Sequence, residues 1–234
     1  MQNRKCLAVW LGLTAYAEAN SLQMRISDLK HQGLDIDVLL LLEHPPVITL
    51  GRNAQQHNLL VQENRLESLE IELWRVDRGG DVTFHGPGQL VGYPVLFLRK
   101  DERDVHGYMH NLEESVIRLL MSFEIKARRE EHLTGVWTDK GKIAAMGVHL
   151  RRWITRHGFA LNVTTDLSYF DLIVPCGIAG RKVTSMKETV AGEFKMEEVF
   201  SRYIPLFGDI FHREMEVVGK SVLESRLAAY EAAI

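Results

Sequence analysis

Two residues have the chemistry of a nucleophile and of its activator. Cys176 stands between a proline and a glycine, which is typical of a turn where a thiol can face a cleft. A thiol attacks as the thiolate, which a neighbouring Lys, Arg or His cation stabilises. Lys142 and His85 are candidates for that cation, but the chain order alone brings neither of them to Cys176. The common alternative for a lone cysteine is a small buried side chain, and this is what we expect of Cys6.

The segment 78–89, RGGDVTFHGPGQ, is the most unusual in the chain. Its glycines and proline are typical of a long turn between strands, or of a loop whose backbone approaches a ligand closely. A dinucleotide fingerprint is excluded because its third glycine would fall at Val91, and because a strand rather than a helix is predicted next. The chain also has no Walker loop, no HExxH and no GxSxG. We therefore expect no nucleotide cradle, no catalytic metal and no serine-hydrolase elbow.

Hydrophobic spacing predicts the helices that must position these residues. Apolar residues three and four apart indicate one helix over residues 15–33 and a second over 105–123. The first of these runs through a segment that imitates a signal-peptide cleavage site, so we expect it to belong to the folded body. From residue 196 onward the chain is expected to be helical, with interruptions at Pro205 and Gly219.

The predicted strands indicate a mixed sheet. A turn at 139–141 between two strand-like runs predicts an antiparallel hairpin, which a purely parallel sheet would not contain. We therefore expect an α/β (α+β) protein with a mixed, largely antiparallel sheet packed with helices. One domain is expected over residues 1–234, with 195–234 as a small helical extension of it. The strand-like runs lie at 38–42, 47–50, 71–76, 90–98, 135–138, 143–150 and 158–163.

Composition narrows the function classes. The 234 residues are 46% hydrophobic and 25% charged, which is ordinary for a globular protein and excludes disorder as a description of the whole chain. A net charge of −3 argues against a dedicated nucleic-acid binder. No run approaches the roughly 20 apolar residues of a membrane span. The two cysteines make no disulfide framework. We expect a cytoplasmic protein that binds neither nucleic acid nor membrane.

Four motifs in order resemble the signature of the lipoyl(octanoyl) transferases, the family of octanoyl-acyl carrier protein:protein N-octanoyltransferases. The resemblance also includes the EHPP sequence at 43–46 and the segment 11–16, and it spans most of the chain apart from its tail. Motifs that recur together in one order are far more specific than a single glycine-rich loop. The four motifs are RGGDVTFHGPGQLVGYP at 78–94, KIAAMG at 142–147, HGFALN at 157–162 and VPCG at 174–177.

The resemblance implies a fold shared with biotin and lipoate protein ligases, and a reaction in two steps. Cys176 takes the octanoyl group from octanoyl-acyl carrier protein as a thioester. A lysine of a lipoyl domain, in 2-oxoacid dehydrogenases or the glycine cleavage H protein, then receives it as an amide. Lys142 is implied to lower the pKa of the thiol and to accept the proton of the incoming amine. No cofactor is implied, and a monomer is expected.

The resemblance also assigns the walls of the substrate site, where small residues leave room for an acyl chain. His85 is expected to orient Lys142 or the substrate carbonyl. Because acyl carrier proteins are acidic, a basic docking surface is expected as well, with Arg128, Arg129, Arg151, Arg152 and Arg156 as candidates. The implied substrate-binding residues are Arg78, Gly79, Gly80, Asp81, Val82, Thr83, Phe84, His85, Ala145, Met146, Gly147, Gly158, Phe159 and Ala160.

Other activities fit the same residues less well. An ATP-dependent lipoate-protein ligase of related fold would not depend on Cys176. An octanoyl amidotransferase would share the thioester chemistry and differ in its donor. A non-catalytic acyl-binding module would not need both Cys176 and Lys142.

Overall fold

The computed structural model describes residues 4–174 and 182–234. Its strands are β1 (Arg4–Leu13), β2 (Asp37–Glu43), β3 (Val47–Leu50), β4 (Glu72–Arg75), β5 (Val82–His85), β6 (Gln89–Val95), β7 (Arg128–Glu130), β8 (Leu133–Thr138), β9 (Gly141–Arg151), β10 (Ile154–Asn162) and β11 (Arg213–Val218). Its α-helices are α1 (Tyr16–His31), α2 (Glu63–Ser68), α3 (Val105–Met121), α4 (Met186–Thr189), α5 (Met196–Phe211) and α6 (Lys220–Glu231).

Eight strands form one large sheet in the order β11-β1-β2-β6-β10-β9-β8-β7. The pairs β11–β1 and β1–β2 are parallel, and every later pair in this order is antiparallel. The predicted hairpin is confirmed as the β8–β9 pair, in which Thr138 lies opposite Gly141. A mixed, largely antiparallel sheet is therefore what the chain forms.

Two helical layers cover the large sheet. On one face, α1 buries Ala19, Leu22, Ile26 and Leu29 against β2 and β6, as their spacing predicts. The helix α6 packs in the same layer. On the other face, α3 and α5 pack together over a second core that includes Cys6, which is fully buried as expected. No helix within the described ranges is long and apolar enough to cross a membrane.

The helix α1 ends where its sequence predicts. Gly33 has a φ of +108°, a left-handed conformation that a glycine adopts without strain. Its N–H donates to the carbonyl of Lys30, and the next N–H, from Leu34, donates to the carbonyl of Leu29. These two bonds are those of a Schellman motif, so carbonyls at the helix end are satisfied.

A second, three-stranded sheet has the order β4-β3-β5 and lies beside the large one. Its strand β5 corrects the sequence prediction, which treated the whole of 78–89 as a turn or loop. Residues Val82–His85 are extended, fully paired with β3 and buried. Four residues of strand between glycine pairs are too few for a periodicity signal, and the partner strand supplies the order that local sequence does not.

The tail also differs from its prediction. The helix α5 runs through Pro205 without ending there. After it, residues 213–218 form β11, an edge strand that pairs in parallel with β1. The expectation of a helical tail interrupted at Pro205 and Gly219 is therefore wrong at residues 213–218, because pairing with β1 near the start of the chain decides their conformation. The single domain with a small C-terminal extension stays a prediction.

A buried charge cluster fixes the edge of the large sheet to α1. Asp37, which is fully buried, accepts hydrogen bonds from Lys30 Nζ at 2.7 Å and from Arg213 Nε at 2.8 Å. It also accepts one from the backbone N–H of Phe97 at 3.0 Å. Arg4 lies 3.4 Å from the same carboxylate. One acid thus pairs with cations from α1, β1 and β11, and these cations hold its pKa below the usual range.

We predict that Asp37→Asn lowers the free energy of unfolding by about 3–5 kcal/mol, because it removes the counter-ion of the buried Lys30 and weakens the pairing of Arg213. Urea denaturation measures this. Asp35→Asn is the matched control, since Asp35 contacts the same Arg4 at 3.3 Å but is 76% exposed, and should cost under about 1 kcal/mol. Equal effects of the two substitutions would contradict the assignment.

Candidate functional site

A cavity lies between the two sheets and contains most of the residues that the motifs point to. Its empty space, including the part that is open to solvent, is about 490 Å³. The lining residues are Tyr16, Arg78, Gly80, Asp81, Val82, Thr83, His85, Tyr93, Ala145, Met146, Gly147, His157, Gly158, Phe159 and Ala160.

Small residues of β9 and β10 form the floor of this cavity. Ala145 lies opposite Ala160, and Gly147 lies opposite Gly158, two residues further along the pair. Side chains that are two apart share a face of a sheet, so these four positions make one shallow trough. Gly158 cannot carry a side chain without a shift of the neighbouring β6, since a Cβ there would lie 2.2 Å from the carbonyl oxygen of Gly92.

The turn that precedes β5 roofs the glycine end. Its Gly79 N–H donates to the carbonyl of Val148 at 2.8 Å, which joins the roof to the large sheet. Arg78 holds the turn from the other side, with its Nη2 2.7 Å from the carbonyl oxygen of Thr49. A Cβ on Gly147 would lie 2.9 Å from the carbonyl oxygen of Gly79. This close approach is why the motif needs glycines here.

The EHPP sequence supports the same site. The Glu43 carboxylate accepts the N–H of Gly88 at 2.6 Å, in the turn between β5 and β6. His44 Nδ1 lies 2.7 Å from the carbonyl oxygen of Thr14, so this nitrogen carries the proton. Its Nε2 is then an acceptor, to which the hydroxyl of Tyr93 donates at 2.8 Å. Burial lowers the pKa of His44 to about 4, which keeps the ring neutral at physiological pH.

A second polar group at this end is centred on Asp77. His157 Nε2 donates to the Asp77 carboxylate at 2.8 Å, and Arg156 pairs with the same carboxylate. These contacts hold the pKa of Asp77 well below its usual range. The His157 N–H donates to Gln23 of α1 at 2.7 Å, which supports a left-handed φ of +55° at this histidine. Sequence reasoning missed Asp77, although it directly precedes the Arg78 motif.

Lys142 lies at the other end, beside a smaller cavity that shares Thr83, Ala145 and Ala160 with the first. It is buried, in contrast to the neighbouring Lys140, so the simple alternative of an exposed hairpin lysine does not hold. Its Nζ lies 5.5 Å from the centre of the Trp137 ring. Gly135, which has a φ of +129°, leaves space for the Lys142 side chain, because a Cβ at this position would lie 2.5 Å from Lys142 Cε.

His85 connects to this end through a chain of side-chain amides. Its Nδ1 lies 2.8 Å from Gln89 Oε1, and Gln89 Nε2 donates to Asn162 Oδ1 at 2.9 Å. Asn162 in turn donates to the carbonyl of Thr184 at 3.0 Å, and the Thr184 N–H donates to the carbonyl of Lys142. Burial lowers the pKa of His85 to about 3. A cationic role for His85 beside a thiolate is therefore not supported.

The structure brings together twelve of the fourteen implied binding residues as cavity lining. Phe84 points elsewhere, since its ring stacks on Tyr169 at 4.7 Å in the core of the small sheet, and Gly79 contributes through its backbone bond to Val148. Cys176 lies outside the described residues. Tyr16, Tyr93 and His157 are lining residues that sequence reasoning did not select. In the sequence, only their positions pointed to the site, since Tyr93 and His157 lie in two of the four motifs and Tyr16 lies in the first predicted helix.

The expected docking arginines do not form one exposed set. Arg156 is 9% exposed and is paired with Asp77, so a solvent-facing role is wrong for it. Arg129 pairs with Glu114 at 2.7 Å. Arg151 and Arg152, at the β9–β10 turn, are exposed. No cluster of three or more His, Cys, Asp or Glu side chains suited to a metal ion occurs in residues 4–174 and 182–234.

The two-sheet architecture is that of lipoate protein ligases. The chain superimposes on the bi-partite lipoate protein ligase of Thermoplasma acidophilum with a TM-score of 0.72 at 19% identity, covering 98% of this chain and 91% of that one. It superimposes on a lipoate-protein ligase A bound with ATP with a TM-score of 0.70 at 20% identity, covering 98% and 93%. At these identities the likeness defines the fold alone, and it confirms the expected fold class.

Sequence comparison is more specific. The model of the lipoyl protein ligase A/B catalytic domain matches residues 15–208. An octanoyltransferase of Solibacter usitatus is 50% identical over 212 residues, covering 91% of this chain and 96% of its own length. One of Caldicellulosiruptor bescii is 43% identical over 221 residues, covering 93% and 97%. The chain therefore belongs to the lipoyl protein ligase A/B family, among its octanoyltransferases. The predicted family and enzyme class are confirmed.

We predict that the neutral His44 makes the protein sensitive to acid. Its pKa is about 4 in the folded chain and about 6.5 when unfolded, so the unfolded state binds more protons between these values and stability falls as pH falls through that window. From pH 7 to pH 4.5 the loss due to His44 is about 2–3 kcal/mol. Denaturation at both pH values should show a smaller loss in His44→Asn, whereas exposed His106→Asn should behave as wild type. An unchanged loss in His44→Asn would contradict this.

Proposed function

We propose that this protein moves an octanoyl group from octanoyl-acyl carrier protein to a lysine of a lipoyl domain, through a thioester on Cys176. The observation that carries the proposal is the trough of small residues that leads from the buried Lys142 toward Gly147 and Gly158. A trough without large side chains fits an unbranched chain, and a buried amine at one end fits an acyl-transfer step there. The family to which the chain belongs supports the same chemistry.

The described residues on either side of 175–181 support Cys176 as the nucleophile. Lys182 follows Cys176 by six residues, and its carbonyl accepts the backbone N–H of Lys142 at 2.9 Å. The residue after it, Val183, bridges Lys142 in parallel. Residues 182 and 183, a short way after the VPCG motif in sequence, therefore lie beside Lys142, which favours a dyad of Lys142 and Cys176.

The reaction needs no co-reactant. The Cys176 thiolate attacks the thioester carbon, and the carrier's thiolate leaves and takes a proton that Lys142 supplies. The amine of the acceptor lysine then attacks the new thioester, Cys176 leaves as the thiolate, and the amine proton passes to Lys142. Thioester exchange is near balanced and amide formation is downhill, so no ATP is required. His85, which is neutral and anchored through Gln89, positions the wall of the site and carries no charge.

The remaining assignments belong to this proposal. The acceptors are the lipoyl domains of 2-oxoacid dehydrogenases and the glycine cleavage H protein. The protein acts in the cytoplasm as a monomer, without a cofactor. The implied binding residues that line the cavity hold the acyl chain and its thioester.

Mixing the protein with octanoyl-acyl carrier protein, without ATP, should add the mass of one octanoyl group. Intact mass spectrometry measures the adduct, which hydroxylamine should remove because it cleaves thioesters. The matched control is Cys176→Ser, which should show no hydroxylamine-labile adduct. If the wild type takes up octanoate only with ATP, the ligase alternative replaces the transferase. An adduct only from an octanoylated lipoyl domain would favour the amidotransferase.

Lys142→Ala should slow formation of the adduct by roughly 10²–10⁴-fold, the usual contribution of acid–base catalysis. Lys142→Arg keeps a positive charge, but a guanidinium does not release its proton at physiological pH. This variant should therefore restore part of adduct formation but not transfer of the octanoyl group to the acceptor. Lys140→Ala is the control, since Lys140 is exposed two residues away on the hairpin. Single-turnover rates measure both steps. Equal rates for the Lys142 and Lys140 variants would exclude the dyad.

A further inference from the structure

One hydroxyl in the main cavity has no partner. Tyr16 begins α1, is 98% buried, and its hydroxyl makes no hydrogen bond to any described residue. Two neighbouring polar side chains of the lining do have partners, since Tyr93 donates to His44 and His157 donates to Asp77. A buried hydroxyl that is left unpaired destabilises the protein, because it has lost its hydrogen bonds to water. A group that a ligand brings would remove this destabilisation.

Tyr16 lies at the end of the cavity away from Lys142. It lines the space with Tyr93, His157, Gly147 and Gly158, whereas Lys142 borders the smaller space beyond Ala145 and Ala160. In β9, Ala145 and Gly147 follow Lys142 in that order, so the strand leads from Lys142 past Ala145 to the end of the cavity that Tyr16 lines. An acyl group whose carbonyl lies by Lys142 therefore extends its far end toward Tyr16.

We propose that this end of the cavity binds a hydrogen-bonding group on the terminal carbon of the acyl chain, with the Tyr16 hydroxyl as its partner. The protein then also accepts ω-hydroxylated eight-carbon acyl groups. This inference rests on the proposed function, which places the carbonyl beside Lys142. Burial raises the pKa of Tyr16 to about 12, so the hydroxyl keeps its proton and can donate it to the ligand.

Two ligands of equal size separate this idea from simple chain length. A terminal methyl and a terminal hydroxyl have nearly the same volume, so nonanoyl and 8-hydroxyoctanoyl groups fill the cavity alike. Only the hydroxyl pairs with Tyr16. A site that hydrogen-bonds a substrate hydroxyl rejects the analogue that lacks it, because its own polar group is then left unpaired.

The test is competition between the acyl carrier protein thioesters of 8-hydroxyoctanoate and nonanoate for transfer to one lipoyl domain. Mass spectrometry of the product measures the ratio of the two kcat/KM values. Wild type should favour the hydroxylated chain relative to Tyr16→Phe by about tenfold in this ratio. The control is Tyr203→Phe, which keeps the ring but removes a buried hydroxyl that pairs with Ser115 at 2.9 Å in the core on the other face of the large sheet. Its ratio should equal that of the wild type.

A ratio that does not change in Tyr16→Phe overturns the inference. If both thioesters slow equally in that variant, Tyr16 contacts the reacting carbonyl instead, which also overturns it. Calorimetric binding of the free acids, 8-hydroxyoctanoate and nonanoate, gives the same comparison without turnover. If octanoyl transfer fails but the affinity ratio still falls in Tyr16→Phe, the proposed function alone is wrong. If the affinity ratio is the same in the wild type and in Tyr16→Phe, only the inference is wrong.

Discussion

The cavity depends on how closely the two sheets approach each other at one point. The hydrogen bond from Gly79 to the carbonyl of Val148, 2.8 Å long, joins the turn before β5 to the large sheet. Directly below this hydrogen bond, a Cβ on Gly147 would lie only 2.9 Å from the carbonyl oxygen of Gly79. A larger residue at this point would separate the sheets and open the cavity to water. The space for a chain is therefore made by residues that lack side chains.

Polar groups around the trough are fixed by other parts of the protein rather than by the ligand. His44 and Tyr93 pair with each other, His157 pairs with Asp77, and His85 is anchored through Gln89. Such pairing keeps the walls rigid before a substrate arrives, and a preformed wall loses little entropy on binding. The neutral state of the histidines follows from the same burial. Lys142, at one end, and Tyr16, at the other, give the cavity a direction.

Sequence reasoning predicted the parts of the fold that local pattern decides. The uninterrupted apolar run at 38–42 and the spacing of α1 and α3 identify buried elements on their own. It failed for β5, which is four residues long and bounded by glycines, and for β11, which is a charged edge strand. Both segments become strands only by pairing with partners elsewhere in the chain. For the site, motifs identified the lining but could not show that Phe84 turns away or that Asp77 holds His157, since both depend on contacts across the fold. The position of Cys176 stays a prediction.

The central claim is that the acyl chain lies in the trough between the sheets, with its carbonyl beside Lys142 and its methyl end near Tyr16. A crystal structure of the octanoylated protein tests this directly. The account predicts continuous density from Cys176 past Ala145 and Ala160 to the glycine pair Gly147 and Gly158. A chain that runs in the opposite direction, or that lies in the open groove between α2 and β4, would contradict it.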